Sequence, residues 1–228
     1  MKKQETRRSF SPHAFRKLAI YVAAILLTVC LQVSASAQCL SGSSVSSSRL
    51  FKTTGNMDLD TRFNQEASMI YSVFGVNPNI FIFDDGRSPN AYASQEITLQ
   101  GYTGTVYFGG TLLQSELWNM NKGGYAVAGI MAHEFAHILQ IKWDSRMSGR
   151  ARELHADYLA GYYLGRKSYF VPTNIRAFAN SLFEKGDYAF WSRAHHGTPQ
   201  ERVNAMLAGF QSANADLLTA YRYGERLF

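Results

Sequence analysis

The stretch of this sequence best equipped for chemistry is Ala132-His133-Glu134-Phe135-Ala136-His137-Ile138. On a helix, two histidines four residues apart are offset by about 40° and about 6 Å of rise, so both imidazoles can reach one ion. Neutral imidazole nitrogen suits Zn2+, which also accepts the mixed nitrogen and oxygen ligands on offer here. Glu134, between the two, is placed to take a proton from water at such an ion. A shuffled chain of this composition would contain the spacing in roughly 0.6% of cases, so chance is a poor explanation. Ile130, Met131, Phe135, Ile138, Leu139 and Ile141 make the helix apolar almost all round. Three ionisable groups buried in its middle are costly unless they have partners.

A catalytic zinc needs a third protein ligand and one open position. The next helix, around Glu153-Leu154-His155-Ala156-Asp157, supplies two candidates four residues apart on one face. Glu153 is assigned to the metal. Asp157 is assigned to the other ring N–H of His133, fixing its tautomer and raising its basicity. The reverse, Asp157 on the ion, stays open. Ala156, Ala160 and Gly161 are small enough to let the two helices approach. His155 sits about 200° round from Glu153 and reads as a surface or packing residue.

These residues need a frame. Leu59, Phe63, Ala67, Ile70 and Phe74 recur at steps of three and four, which predicts a helix over about 58–73. Asn79–Phe83 is a β-prone run closed by Asp84-Asp85-Gly86, and extended pieces follow at Ala91–Ala93 and Thr105–Phe108. Helices are expected from Thr111 to Trp118, from Gly123 to about Trp143 and from Arg150 to Leu164, with further helices opened by Pro172 and Pro199. A small sheet packed on several helices is an α+β fold.

His-Glu-Phe-Ala-His at 133–137 followed by Glu-Leu-His-Ala-Asp at 153–157 resembles the gluzincin metallopeptidases, which carry H-E-x-x-H and then E-x-x-x-D. It is most similar to the prenyl-protease-type (C-a-a-X protease) members and their soluble bacterial relatives. Residues 153–161 also resemble the bacterial neutral zinc metallopeptidases. Asn90-Ala91-Tyr92-Ala93, with Thr105–Leu113 after it, is similar to that family's substrate-binding edge strand and the strand leading into the next helix. His196-Gly197-Thr198-Pro199-Gln200-Glu201-Arg202 resembles its H-P-x-x-x-x-R element, with Gly197 where the family has proline. The resemblance implies a zincin-like fold in which an edge strand packs on an active-site helix pair ahead of a helical C-terminal part. It implies one Zn2+ per chain, Glu134 as general base, His196 at the developing oxyanion and Arg202 behind the ligands with Asp157. A peptide or protein substrate would lie along Asn90, Ala91, Tyr92 and Ala93. The bland readings are a loop at Asn90, an exposed turn at His195-His196 and a surface charge at Arg202. The family's membrane-bound members carry several transmembrane helices; this sequence has one apolar run, so prenylated substrates are not implied.

That run, Leu18 to Val33, follows a basic segment and precedes Ala35-Ser36-Ala37. It is shorter than the roughly 20 residues that cross a bilayer comfortably. Residues 1–37 read as a secretory signal, with a retained anchor or a lipoprotein at Cys39 as the alternatives. They hold six Lys/Arg and one Glu, so the remainder carries about +1 of the net +6 and gives no reason to invoke nucleic acid. Residues 38–55 read as a serine-rich tether and 56–228 as one domain. The function these features predict is a zinc-dependent endopeptidase acting on exported or cell-envelope proteins. Its rivals are a zinc hydrolase of a small non-peptide amide and a zinc-bound chaperone or binding module.

Overall fold

The computed structural model describes residues 50–86, 90–117, 125–183 and 197–228. The signal segment 1–37, the serine tether as far as residue 49, and His196 lie outside the described residues. Leu50–Phe51 forms a short strand, β1, inside the stretch read as tether, pairing antiparallel with Ile82 and Phe83. Two residues are too few for a sequence pattern to announce.

Helix α1 (Met57–Phe74) starts where Asn56 accepts from the Asp58 and Leu59 N–H groups, and Asp58 and Asp60 place negative charge at its positive end. It stops at Gly75, whose φ of 63° is cheap only without a Cβ. Its stripe of Phe63, Ile70 and Phe74 is buried, with the helix packed on the one at Tyr125–Lys142, Phe63 edge-on to Phe108 and Phe74 edge-on to Tyr163.

The sheet contains β1, β2 (Asn79–Phe83), β3 (Ala91–Ser94) and β4 (Thr105–Gly109) in the order β1-β2-β4-β3. Central β4 is buried along its whole length, parallel to β2 and antiparallel to β3, with Tyr92 opposite Tyr107. Ala91, Ala93, Val106, Phe108 and Ile82 point to the core, while Phe81, Tyr107 and Tyr92 stack in a row on the other face. β3 lies at the sheet edge. Asp85 anchors its approach by accepting from the N–H groups of Asn90, Thr111 and Leu112, and the last two open α2 (Gly110–Leu117).

Helix α3 (Tyr125–Lys142) is buried continuously from Ala126 to Gln140 and packs on β3 and β4. A turn with Asp144 and Gly149 at positive φ leads to α4 (Gly149–Leu164), buried from Glu153 to Leu164. The pairs His133–Asp157 and His137–Glu153 descend one helix as they climb the other, so α3 and α4 are antiparallel. Helices α5 (Pro172–Phe183), α6 (Pro199–Gln211) and α7 (Leu217–Leu227) complete the helical part. Thr198 and Glu201 form a reciprocal capping box on α6, with Pro199 at its first turn.

Gly161 corrects one expectation. Its small size serves contact with α6 rather than α3: a Cβ there would lie 1.9 Å from the Met206 carbonyl oxygen. Gly209 answers it from α6, where a Cβ would lie 1.7 Å from the Tyr158 carbonyl oxygen. Thus α4 and α6 meet backbone to backbone.

Candidate metal centre

Helices α3 and α4 bring His133, His137 and Glu153 together as a buried group that could hold a metal ion. The two Nε2 atoms are 3.0 Å apart, and the Glu153 oxygens lie 3.4 Å from His133 Nε2 and 3.5 Å from His137 Nε2. Ligand atoms on a four-coordinate zinc, with bonds of about 2.0–2.2 Å, stand about 3.3–3.6 Å apart. Different Glu153 oxygens make the two contacts, and one ligand atom from each residue lies within 4.8 Å of the others, so small side-chain adjustments would gather them on one ion.

Each imidazole has its other nitrogen on an oxygen. His133 Nδ1 is 2.9 Å from Asp157 Oδ1, and His137 Nδ1 is 2.8 Å from Gln140 Oε1. Those oxygens accept, so both Nδ1 atoms carry hydrogen and both Nε2 atoms turn toward each other and Glu153. Nitrogen lone pairs facing one another beside a carboxylate repel unless positive charge lies among them. The electrostatics agree. Burial pulls the His133 imidazole down, but Asp157, Glu153 and Glu134 outweigh it and hold it up to about 9. A metal ion bound there would displace that proton.

Behind His133 stands Arg202 of α6, which donates Nε–H to Asp157 Oδ2 at 2.6 Å and an Nη2 hydrogen to Oδ1 at 2.7 Å. Both side chains are buried. Burial alone would raise the Asp157 carboxyl, but the Arg202 guanidinium and His133 hold it below its usual value. Burial lowers the pKa of His137, which has no direct carboxylate partner on Nδ1.

Glu134 is 1% exposed. Burial pushes its carboxyl up to about 8, with Glu153 adding to the rise and His133, Arg202 and a hydrogen bond from the Ala93 backbone opposing it. Its Oε1 has no hydrogen-bond partner among the described residues. Helix α3 itself packs directly on the sheet edge at β3. Gly109 N–H donates to the Asn90 carbonyl at 2.8 Å, so by strand alternation Tyr92 and Ser94 face β4. Ala91 and Ala93 therefore turn their backbone groups to the free edge.

The structure thus gathers Glu134, Asp157, Arg202, Ala93 and the three candidate ligands around one point. The surface-charge reading of Arg202 fails, because Asp157 holds it in the interior. The Tyr92 ring lies on the opposite face, 4.8 Å from Tyr107. Two residues had no assigned part in the site. Gln140 follows His137 by three positions on the same helix, a spacing that offers a ring N–H a partner one turn on. His155 is 0% exposed and lies behind Gln140, within the packing alternative for that residue. Among the described residues no helix is long and apolar enough to cross a membrane. No protein family, curated protein or solved structure matches the chain. Function has to be argued from the site.

Proposed function

We propose that the protein is a zinc-dependent peptidase of gluzincin type, with the ion on His133, His137 and Glu153 and Glu134 as general base. One observation carries this reading: three metal-ligand side chains converge, with nitrogen–nitrogen and nitrogen–oxygen contacts of 3.0–3.5 Å, beside a buried glutamate with an unpartnered oxygen. Bound zinc would supply Lewis acidity, polarising a substrate carbonyl and lowering the pKa of water toward about 7. Glu134 takes a proton from the attacking water as its oxygen adds to the carbonyl carbon. It delivers that proton to the amide nitrogen as the C–N bond breaks. Burial, which raises that carboxyl, favours its taking up the proton.

The substrate class rests on β3. The outward backbone groups of Ala91 and Ala93 offer an extended peptide a strand to pair with, on the strand that packs against the helix carrying Glu134. Such pairing reads main chain and little sequence. Asn90, which begins the strand, and His196, whose resemblance suggests a donor to the oxyanion, complete the proposed substrate contacts. The signal-like residues 1–37 support the reading that the substrates are exported or cell-envelope proteins.

Zinc analysis of the purified chain, with casein degradation measured with and without a chelator, tests the proposal. One zinc per chain and chelator-sensitive cleavage are expected. Glu134→Gln should keep the metal and lose turnover; loss of zinc there would show that Glu134 had been given the wrong role. A zinc-loaded protein that leaves peptides intact but cleaves a small amide would shift the reading to the rival hydrolase.

A further inference from the structure

Gln140 has four polar neighbours, and they settle which way its amide points. Oε1 faces two donors, His137 Nδ1 at 2.8 Å and Arg152 Nε at 3.3 Å. Nε2 faces the Arg152 carbonyl oxygen at 2.9 Å and His155 Nδ1 at 3.0 Å. A carbonyl oxygen can only accept, so the amide nitrogen is on that side and His155 Nδ1 accepts from it. The other nitrogen of His155, Nε2, lies 3.1 Å from the Tyr221 carbonyl oxygen in α7 and must donate. Every hydrogen is then assigned and every bond runs one way. His155 donates to α7, Gln140 donates to His155, and His137 donates to Gln140.

The backbone is arranged for this chain. His155 is 0% exposed and reaches the main chain of α7 beside Gly224, where a Cβ would lie 2.6 Å from His155 Cδ2 and 2.9 Å from its Nε2. Tyr221 packs edge-on to the same imidazole, with ring centroids 4.6 Å apart. The His155 ring is therefore held by the packing of α7.

We infer that Gln140 and His155 are positioning residues, a relay through which α7 fixes the orientation and tautomer of His137 and so holds its Nε2 ready for the metal ion. The inference rests on the proposed metal site. The relay fixes His137 without placing a formal negative charge on it, in contrast to the carboxylate behind His133. Links in series have a signature: once the middle link is removed, the outer one ceases to matter.

The experiment measures zinc affinity by chelator competition for wild type, Gln140→Leu, His155→Phe and the double variant, with melting of each metal-free protein alongside. Gln140→Leu should weaken binding about 10–100-fold, the range for loss of a partner behind a ligand. His155→Phe should weaken it less, by up to about tenfold, and the double variant should match Gln140→Leu. Affinity that is unchanged in either single variant overturns the relay, even if melting falls, as do losses that multiply in the double variant. Wild type that binds no zinc overturns the metal site and the relay together, whereas wild type that binds it isolates a failure to the relay. Nitrogen-15 long-range spectra of the wild-type histidines give a check that needs no variant to fold. His137 should carry its proton on Nδ1 and His155 on Nε2. A His155 proton on Nδ1 reverses the chain and overturns the inference.

Discussion

The two histidines of one centre are supported by opposite means. Behind His133 lies an ion pair: Asp157 accepts its Nδ1 hydrogen and is itself gripped by Arg202. Behind His137 lies a neutral amide, then a second imidazole, then a backbone carbonyl. The charged arm raises the basicity of its histidine, and burial lowers that of the other. The difference teaches that orientation and charge are separable. A ligand can be aimed by either arm, but only the carboxylate adds attraction for a cation.

The largest expected effect removes the point where both arms converge. Glu153→Ala takes away a ligand, so zinc affinity should collapse by more than the roughly 10–100-fold of an outer partner, and excess zinc should not restore peptide hydrolysis. Retention of metal by Glu153→Ala with loss in Asp157→Ala would exchange the roles of these carboxylates. Next comes the charged arm alone. Asp157→Ala leaves Arg202 buried without its carboxylate, and urea unfolding of the metal-free chain should lose about 3–5 kcal/mol. Its activity should be partly recovered by added zinc.

The neutral arm should fail first on acidification. Burial lowers His155 from 6.5 to about 4, so between those values the unfolded chain binds the extra proton and folding stability falls as pH falls. The loss is on the order of 3 kcal/mol and complete near pH 4. Asp157, already lowered from 3.8, begins to lose its contribution only below that value. Glu134, raised to about 8, works in the opposite sense over the same range, so urea unfolding in chelator at pH 7, 6, 5 and 4 is compared between proteins: wild type should lose stability relative to His155→Phe as pH falls. An unaltered slope in that variant would place the acid sensitivity elsewhere. The smallest effect is a control on the same helix pair. Arg150 also bridges α4 to a carboxylate of α6, Glu201, but its side chain is 59% exposed. Arg150→Ala should leave the midpoint nearly unchanged in the same unfolding assay, because solvent screens the pair.

What could be read from the sequence follows the range of the interactions. The ligand pair on α3, the carboxylate pair on α4 and the helix starts at Pro172 and Pro199 are local patterns, and the structure has helices in those places. The extended piece at Ala91–Ala93 was legible and is a strand, Ala91–Ser94, while its place at a sheet edge was suggested only by the resemblance. The relay through His155 was not, because its last link joins residues 66 positions apart and no local period encodes it. Gly161 shows the same limit: a small residue announces a close approach but not which helix approaches. Arg202 was identified only through resemblance, since one arginine on a capped helix looks alike whether it faces water or Asp157.

Both arms end in residues 199–228, the charged one on α6 and the neutral one on α7. Synthesis delivers α3 and α4 earlier, so the ligands exist on a nascent chain before either support does. Once α6 is made, Gly161 and Gly209 let it press onto α4 closely enough for Arg202 to reach Asp157. On the proposed function, an ion would therefore be held at full strength only by a chain made through α7. The fold would then act as a proofreader of its own synthesis, reserving tight metal capture for molecules that have been translated past both helices.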